Sequence, residues 1–297
     1  MNHARRVLLY SGIASLILVA VSTLNDGVAS EKSTPTPPGL KIFSAGHSFH
    51  VFMPRILSEL ATAAGIAGHE QVGVSSIGGS RSIQHWDLPA DKNKAKPALE
   101  TGKVQVLTLA PIYLPDEGIE KLATLAFEKN PAVRVTVQEF WLPFDVYQKD
   151  YKQRKPESVD RNARTVAEMH REHDPYFKDM EAHLTELNTK FGKPVMSVVP
   201  VGQAAIKLRA KIIAGEAPGL KQQNDLFTDA IGHATPPLQA LNAYCHFAVI
   251  YGRSPVGLPL PTVLKAANKP EYEQLNRLLQ ELAWEAVSEH PMTGVKK

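Results

Sequence analysis

The spacing of apolar residues changes period repeatedly along the chain. Leu40 to Ala45 is a short apolar run of strand length. Beyond Gly46-His47-Ser48, the residues Met53, Ile56, Leu57, Leu60, Ala61 and Ala64 recur three and four apart, as on one face of a helix. The alternation continues, predicting strands at 71–77, 104–109, 133–138 and 195–201. Helices are predicted at 53–67, 118–130, 204–214, 237–251 and 271–287, with a further one carrying Phe177, Met180, Leu184, Leu187 and Phe191. Five short strands with intervening helices predict an α/β fold whose mainly parallel sheet is covered on both faces. Such sheets bind ligands beyond the carboxyl ends of their strands.

Ser48 falls at that edge, on the turn between the first strand and a helix that opens near Pro54. A serine hydroxyl is a weak nucleophile. It needs a rigid backbone, a base beside it and hydrogen-bond donors for the developing oxyanion. The turn supplies rigidity, and the amino end of the helix favours negative charge there. A serine that merely caps the helix is the alternative reading.

A base is offered by the segment Phe227-Thr228-Asp229-Ala230-Ile231-Gly232-His233, just before Pro236-Pro237 and a helix. There His233 would take the Ser48 proton while Asp229 orients the ring, unless the two residues only pack and cap a turn. Donors are offered by Ser76-Ile77-Gly78-Gly79-Ser80 after the second strand, because glycine lets a backbone N–H approach a substrate closely.

Serine after strand one, glycine after strand two and an acid with a histidine in a late loop resemble the SGNH, or GDSL-like, hydrolase superfamily. Gly46-His47-Ser48 corresponds to its first block, Gly78-Gly79 to its second and Asp229 with His233 to its last. The stretch from His233 to Pro259 is similar to uncharacterised secreted bacterial members. The resemblance spans about residues 40 to 258. It implies a three-layer α/β/α sandwich with a flavodoxin-like five-stranded sheet. It also implies ester hydrolysis through an acyl-enzyme, with Ser48, His233 and Asp229 catalytic and the N–H groups of Ser48 and of Gly78 or Gly79 forming the oxyanion hole.

Two departures stand out. The family's third block ends a strand with an asparagine that completes the oxyanion hole, whereas here the chain reads Leu107-Thr108-Leu109-Ala110-Pro111. Losing one such donor costs about 10²- to 10³-fold in rate. Thr108, His85 and Gln138 are the candidate replacements. The acid and histidine are also one residue further apart than is usual, so either Gly232 absorbs the extra residue or Asp225 is the acid.

The remaining features narrow the function classes. Among 297 residues, 33 are basic and 30 acidic, for a net charge of +3. No strong field would draw nucleic acid or an anionic membrane. Arg5 and Arg6, an apolar stretch from Val7 to Val21 and small residues at Val28-Ala29-Ser30 predict a signal peptide over residues 1–30, cleaved after Ser30. That apolar stretch is too short to span a bilayer, so no stable membrane insertion is expected after cleavage. A proline-rich linker follows at 31–39, then a single domain over 40–297 in a secreted or periplasmic protein.

The sole cysteine, Cys245, has no intrachain partner, and its helical spacing with Leu238, Leu241 and Val249 reads as core. His170 and His173 are three apart on a helix, but no H-E-x-x-H pattern accompanies them. No metal or cofactor is expected. His47, His50 and Trp141 are candidates for lining a substrate pocket, with Phe144 beside them. Segments 87–103 and 145–164 are charged and proline-bearing, and read as surface loops or a rim over the site.

The expected function is therefore a secreted serine esterase acting on a small-molecule or carbohydrate ester. A catalytically degenerate binder of a carbohydrate or partner is the alternative, and an acyltransferase would share the same triad.

Overall fold

The computed structural model describes residues 36–148 and 160–296, so the expected signal peptide and part of the linker lie outside the described residues. In chain order the elements are β1 (Lys41–Gly46), α1 (Met53–Ala63), β2 (Glu70–Ser76), α2 (Ser82–Trp86), α3 (Ala95–Glu100), β3 (Val106–Leu109) and α4 (Glu117–Lys129). There follow β4 (Arg134–Glu139), α5 (Val166–Lys190), β5 (Met196–Pro200), α6 (Val201–Ile213), α7 (Pro236–Tyr251), α8 (Thr262–Lys265) and α9 (Tyr272–Glu289).

The strands form one sheet in the order β2-β1-β3-β4-β5, and every neighbouring pair is parallel. Moving from β1 to β2 goes one way across the sheet, and every later step goes the other. Because parallel crossovers are right-handed, α1 lies on one face and α2 through α5 on the opposite one. α7 packs against α1 and α9, completing the first face, while α2, α3 and α4 pack on one another across the sheet. The result is a three-layer α/β/α sandwich. The side on which successive strands are added switches between β1 and β3, and in sheets of this kind ligands bind at the carboxyl ends of the strands flanking such a switch.

Burial explains the sequence pattern. β3 is buried at all four positions and β4 at five of six, as expected of central strands covered on both faces, whereas the edge strand β2 is largely half-exposed. α7 is buried around nearly its whole circumference and carries Cys245 into the core, where burial pushes its thiol pKa up. The segment expected as an 87–103 surface loop instead contains α3, and its Asn93 is buried. Of the 145–164 segment, the two ends are described, and Asp145 and Arg161 there are both buried.

Candidate active site

Ser48 follows Gly46 by two residues in a tight turn, with the His50 and Val51 N–H groups donating to the His47 carbonyl at 2.9 and 3.1 Å. Its hydroxyl is half-buried and 2.8 Å from His233 Nε2. On the other side of the ring, His233 Nδ1 is 2.6 Å from Asp229 Oδ2. Partial burial pushes the Asp229 pKa upward, but hydrogen bonds from the His233 ring and from the Gly232 and His233 N–H groups outweigh it. They hold the carboxyl below its ordinary value. An ionised Asp229 accepts only, so Nδ1 carries the ring hydrogen and Nε2 offers its lone pair to the Ser48 hydroxyl. Asp225 is occupied elsewhere, accepting the Lys221 and Gln222 N–H groups at 2.7 and 3.1 Å. Gly232, between acid and histidine, has φ +106°, a backbone conformation that glycine adopts without strain.

The loop that carries this pair is fastened on several sides. Phe227 and Ala234 form an antiparallel bridge across its base. The Phe144 N–H donates to the Ile231 carbonyl at 3.0 Å, and Trp141 Nε1 donates to the Gly232 carbonyl at 2.7 Å. Arg161 donates to the carbonyls of Asp229 and Ala230 at 3.2 and 2.8 Å while stacking 4.3 Å over Phe227. Behind it, Arg209 makes a two-pronged ion pair with buried Asp145 at 2.5 and 2.9 Å. Phe144 and Asp145 adopt φ of +56° and +58°, a strained conformation for non-glycine residues that persists because these contacts over-determine it. Nothing in the spacing of the sequence marks Arg161 as a partner of this loop.

The glycine loop after β2 is tied to the end of β1 and to the segment after β3. The Ile77 N–H donates to the Gly46 carbonyl at 3.2 Å, and the Ile112 N–H donates to the Ser80 carbonyl at 3.2 Å. Gly79 has φ +57°. Among the described residues, the N–H groups of Ser48, Gly78 and Gly79 meet no acceptor, which leaves three donors free at one end of the sheet.

The three side chains expected to stand in for an oxyanion asparagine are all engaged. Thr108 contacts Ser44 and His50, and Gln138 contacts His50, Phe49, Asn242 and His246. His85 holds Ser75 and Ser80.

The residues expected to line a pocket do not do so. His47, His50 and Trp141 are 1%, 0% and 2% exposed. A sequence position beside Ser48 says nothing of side-chain direction, and in this tight turn both histidines point inward. His47 Nδ1 accepts the Phe49 N–H at 3.3 Å, and burial, reinforced by three neighbouring histidines, lowers its pKa to about 3. His50 bridges Thr108 and Gln138 at 3.0 and 2.8 Å, with a pKa lowered by burial to about 4. Trp141 stacks on Phe49 at 4.8 Å, and Phe49 in turn meets the His233 ring edge-on at 5.4 Å. All three brace the site from beneath.

Two clusters have metal-ligand residue types. His170 is exposed beside Asp174, whereas His173 is buried, its Nδ1 donating to the Met169 carbonyl and its Nε2 accepting the Leu142 N–H, so the two do not converge. Glu139, Glu181 and His290 bring one atom each within 4.8 Å of one another. His290 Nδ1 accepts the Met292 N–H at 3.1 Å, so Nε2 carries the hydrogen and donates to Glu181 at 3.1 Å, leaving no imidazole lone pair for an ion.

No family model and no curated protein matches the chain. Solved structures similar to it include the following two. One, described as a GDSL-like lipase from Parabacteroides merdae, has 14% identity over 73% of this chain and 98% of that one, with a TM-score of 0.40. The other is phospholipase A1 from Streptomyces albidoflavus, with 11% identity over 72% of this chain and 99% of that one, and a TM-score of 0.42.

Proposed function

We propose that this chain is a serine hydrolase that cleaves esters through an acyl-enzyme. The observation that carries the reading is the continuous hydrogen-bonded line from Ser48 Oγ through the His233 ring to Asp229, at 2.8 and 2.6 Å. In this reading Ser48 Oγ attacks the ester carbonyl as its proton passes to His233 Nε2. The negative charge on the carbonyl oxygen is received by the N–H groups of Ser48 and of Gly78 or Gly79. His233 then returns the proton to the departing alcohol. Water, activated by the same ring, attacks the acyl-serine and restores the enzyme. Acyl groups on carbohydrates are the first substrates to screen, given an expected export signal at residues 1–30.

The absence of an asparagine after β3 favours a second reading, a protein of this fold that binds such a ligand without turning it over. Labelling with a fluorophosphonate, alongside turnover of p-nitrophenyl acetate, separates the two. The hydrolase reading expects labelling of the wild type that is lost in Ser48→Ala and falls by about 10³-fold or more in His233→Ala. Turnover and labelling no greater in the wild type than in Ser48→Ala would leave the binding reading.

A further inference from the structure

A single buried side chain joins the two feet of the glycine loop. His85, on α2, is 1% exposed. Its Nδ1 is 2.7 Å from Ser75 Oγ near the end of β2, and its Nε2 is 2.8 Å from Ser80 Oγ just past the two glycines. Between those feet lie Gly78 and Gly79, which have no side chains to fix them and would otherwise explore many backbone conformations.

The ring itself is firmly held. Asp116 accepts the Ser82 N–H and, at 3.1 Å, the Ile83 N–H at the start of α2, and it accepts the Gly118 N–H of α4 at 3.0 Å. Asn93 Nδ2 donates to the carbonyls of His85 and Trp86 at 3.1 Å each. Burial keeps the imidazole neutral, with a pKa lowered to about 4. A neutral ring has one N–H and one lone pair, so it donates to one serine hydroxyl and accepts from the other.

We propose that His85 is a positioning residue that clamps the 76–79 loop from both ends, so that the free N–H groups of Gly78 and Gly79 stand where an oxyanion forms on a substrate held at Ser48. The proposal rests on the serine hydrolase reading. It also accounts for a site that works with backbone donors alone, because donors stabilise a transition state only if they are aligned before charge develops. Displacing them by about 1 Å costs on the order of 10²-fold in rate.

The test measures kcat and KM for p-nitrophenyl acetate per active site, the sites being counted by fluorophosphonate titration, in the wild type, His85→Ala, Ser80→Ala, Ser75→Ala and the Ser80→Ala/His85→Ala double variant. The expected result is a fall in kcat per titrated site of about 10- to 100-fold in His85→Ala, with KM within about threefold of the wild type. Each serine variant is expected to fall part of the way, and the double variant no further than His85→Ala, because all remove the same clamp. His85→Gln, which keeps one of the two contacts, is expected to lie between.

A merely structural role would lower the fraction of titratable sites and leave kcat per site unchanged, which would overturn the proposal. Should His85→Ala fail to fold, Ser80→Ala decides by the same criterion, since it leaves the ring in place. A wild type that does not label removes the hydrolase reading and the clamp together. A wild type that labels, with variants turning over equally fast per site, removes the clamp alone.

Discussion

Asp229 and His233 are 42% and 36% exposed at their side chains, so their ion pair is screened by solvent and its main contribution is orientation. The carboxylate can only accept, and this fixes the hydrogen on Nδ1 and the lone pair on Nε2, opposite Ser48. An asparagine amide at the same position presents a donor as well, and where the amide nitrogen faces the ring the hydrogen moves to Nε2. That tautomer cannot take the serine proton. Asp229→Asn is therefore expected to lower kcat by about 10²- to 10⁴-fold with little change in thermal stability. Asp225→Asn, whose carboxylate caps a neighbouring turn, is expected to keep kcat within about threefold. Steady-state kinetics on the two variants checks the assignment, and the reverse order of effects would make Asp225 the acid.

At the scale of elements, the acid–histidine loop depends on a side chain from a segment far away in sequence. Arg161 forks across the carbonyls of Asp229 and Ala230 while lying over Phe227, and its own carbonyl accepts from Arg209 at 3.4 Å. Lysine has no planar fork and cannot serve two carbonyls while stacking on a ring. Arg161→Lys and Arg161→Ala are therefore both expected to reduce kcat per titrated site, by on the order of 10-fold for the alanine variant. An unchanged kcat in Arg161→Ala would mean that the contacts from Phe144 and Trp141 suffice to hold the loop.

This dependence also marks where the sequence stops being legible. The five strands and the long helices follow from apolar periodicity, and Ser48, Asp229 and His233 stand out because each occupies a turn after or before a periodic segment. Asp229 lies 68 residues from Arg161, in a loop without periodicity, so no local pattern joins them. The short helices α2 and α3 hold five and six residues, too few to show an apolar stripe. His47, His50 and Trp141 were legible as neighbours of the site, but the turn that aims them inward is a tertiary feature. His85 was legible as a candidate oxyanion donor, but its place between Ser75 and Ser80 was not, since a contact from one ring to both ends of a loop is a tertiary feature.

Across the whole molecule, the buried polar groups that support the site set its response to pH. Burial lowers the pKa of His47 to about 3 and of His50, His85 and His173 to about 4, and holds His246 well below its ordinary value. In the unfolded chain these rings titrate near 6.5. As pH falls from about 6.5 toward 4, the unfolded state takes up protons that the folded state refuses. Each ring then removes stability at about 1.4 kcal/mol per unit of pKa difference, until the native rings also protonate.

Glu139 acts in the opposite direction. Burial, with Glu181 and Asp174 nearby, raises its pKa to about 8 against 4.5 in the unfolded chain. The folded state therefore keeps a proton that the unfolded state has lost, and that stabilisation disappears as pH rises from 4.5 toward 8. Between 4.5 and 6.5 the several histidines outweigh the one glutamate, and above 6.5 the glutamate acts against neutral rings. Stability to urea, followed by circular dichroism, is therefore expected to be highest near pH 6.5, to fall at pH 4.5 and to decline more gently at pH 8.5. Glu139→Gln should abolish the alkaline decline while leaving the acid limb intact. Equal stability at pH 4.5 and 6.5 would mean that the buried histidines are already charged in the folded protein, and the polar bracing beneath Ser48 would then need a different assignment of protons.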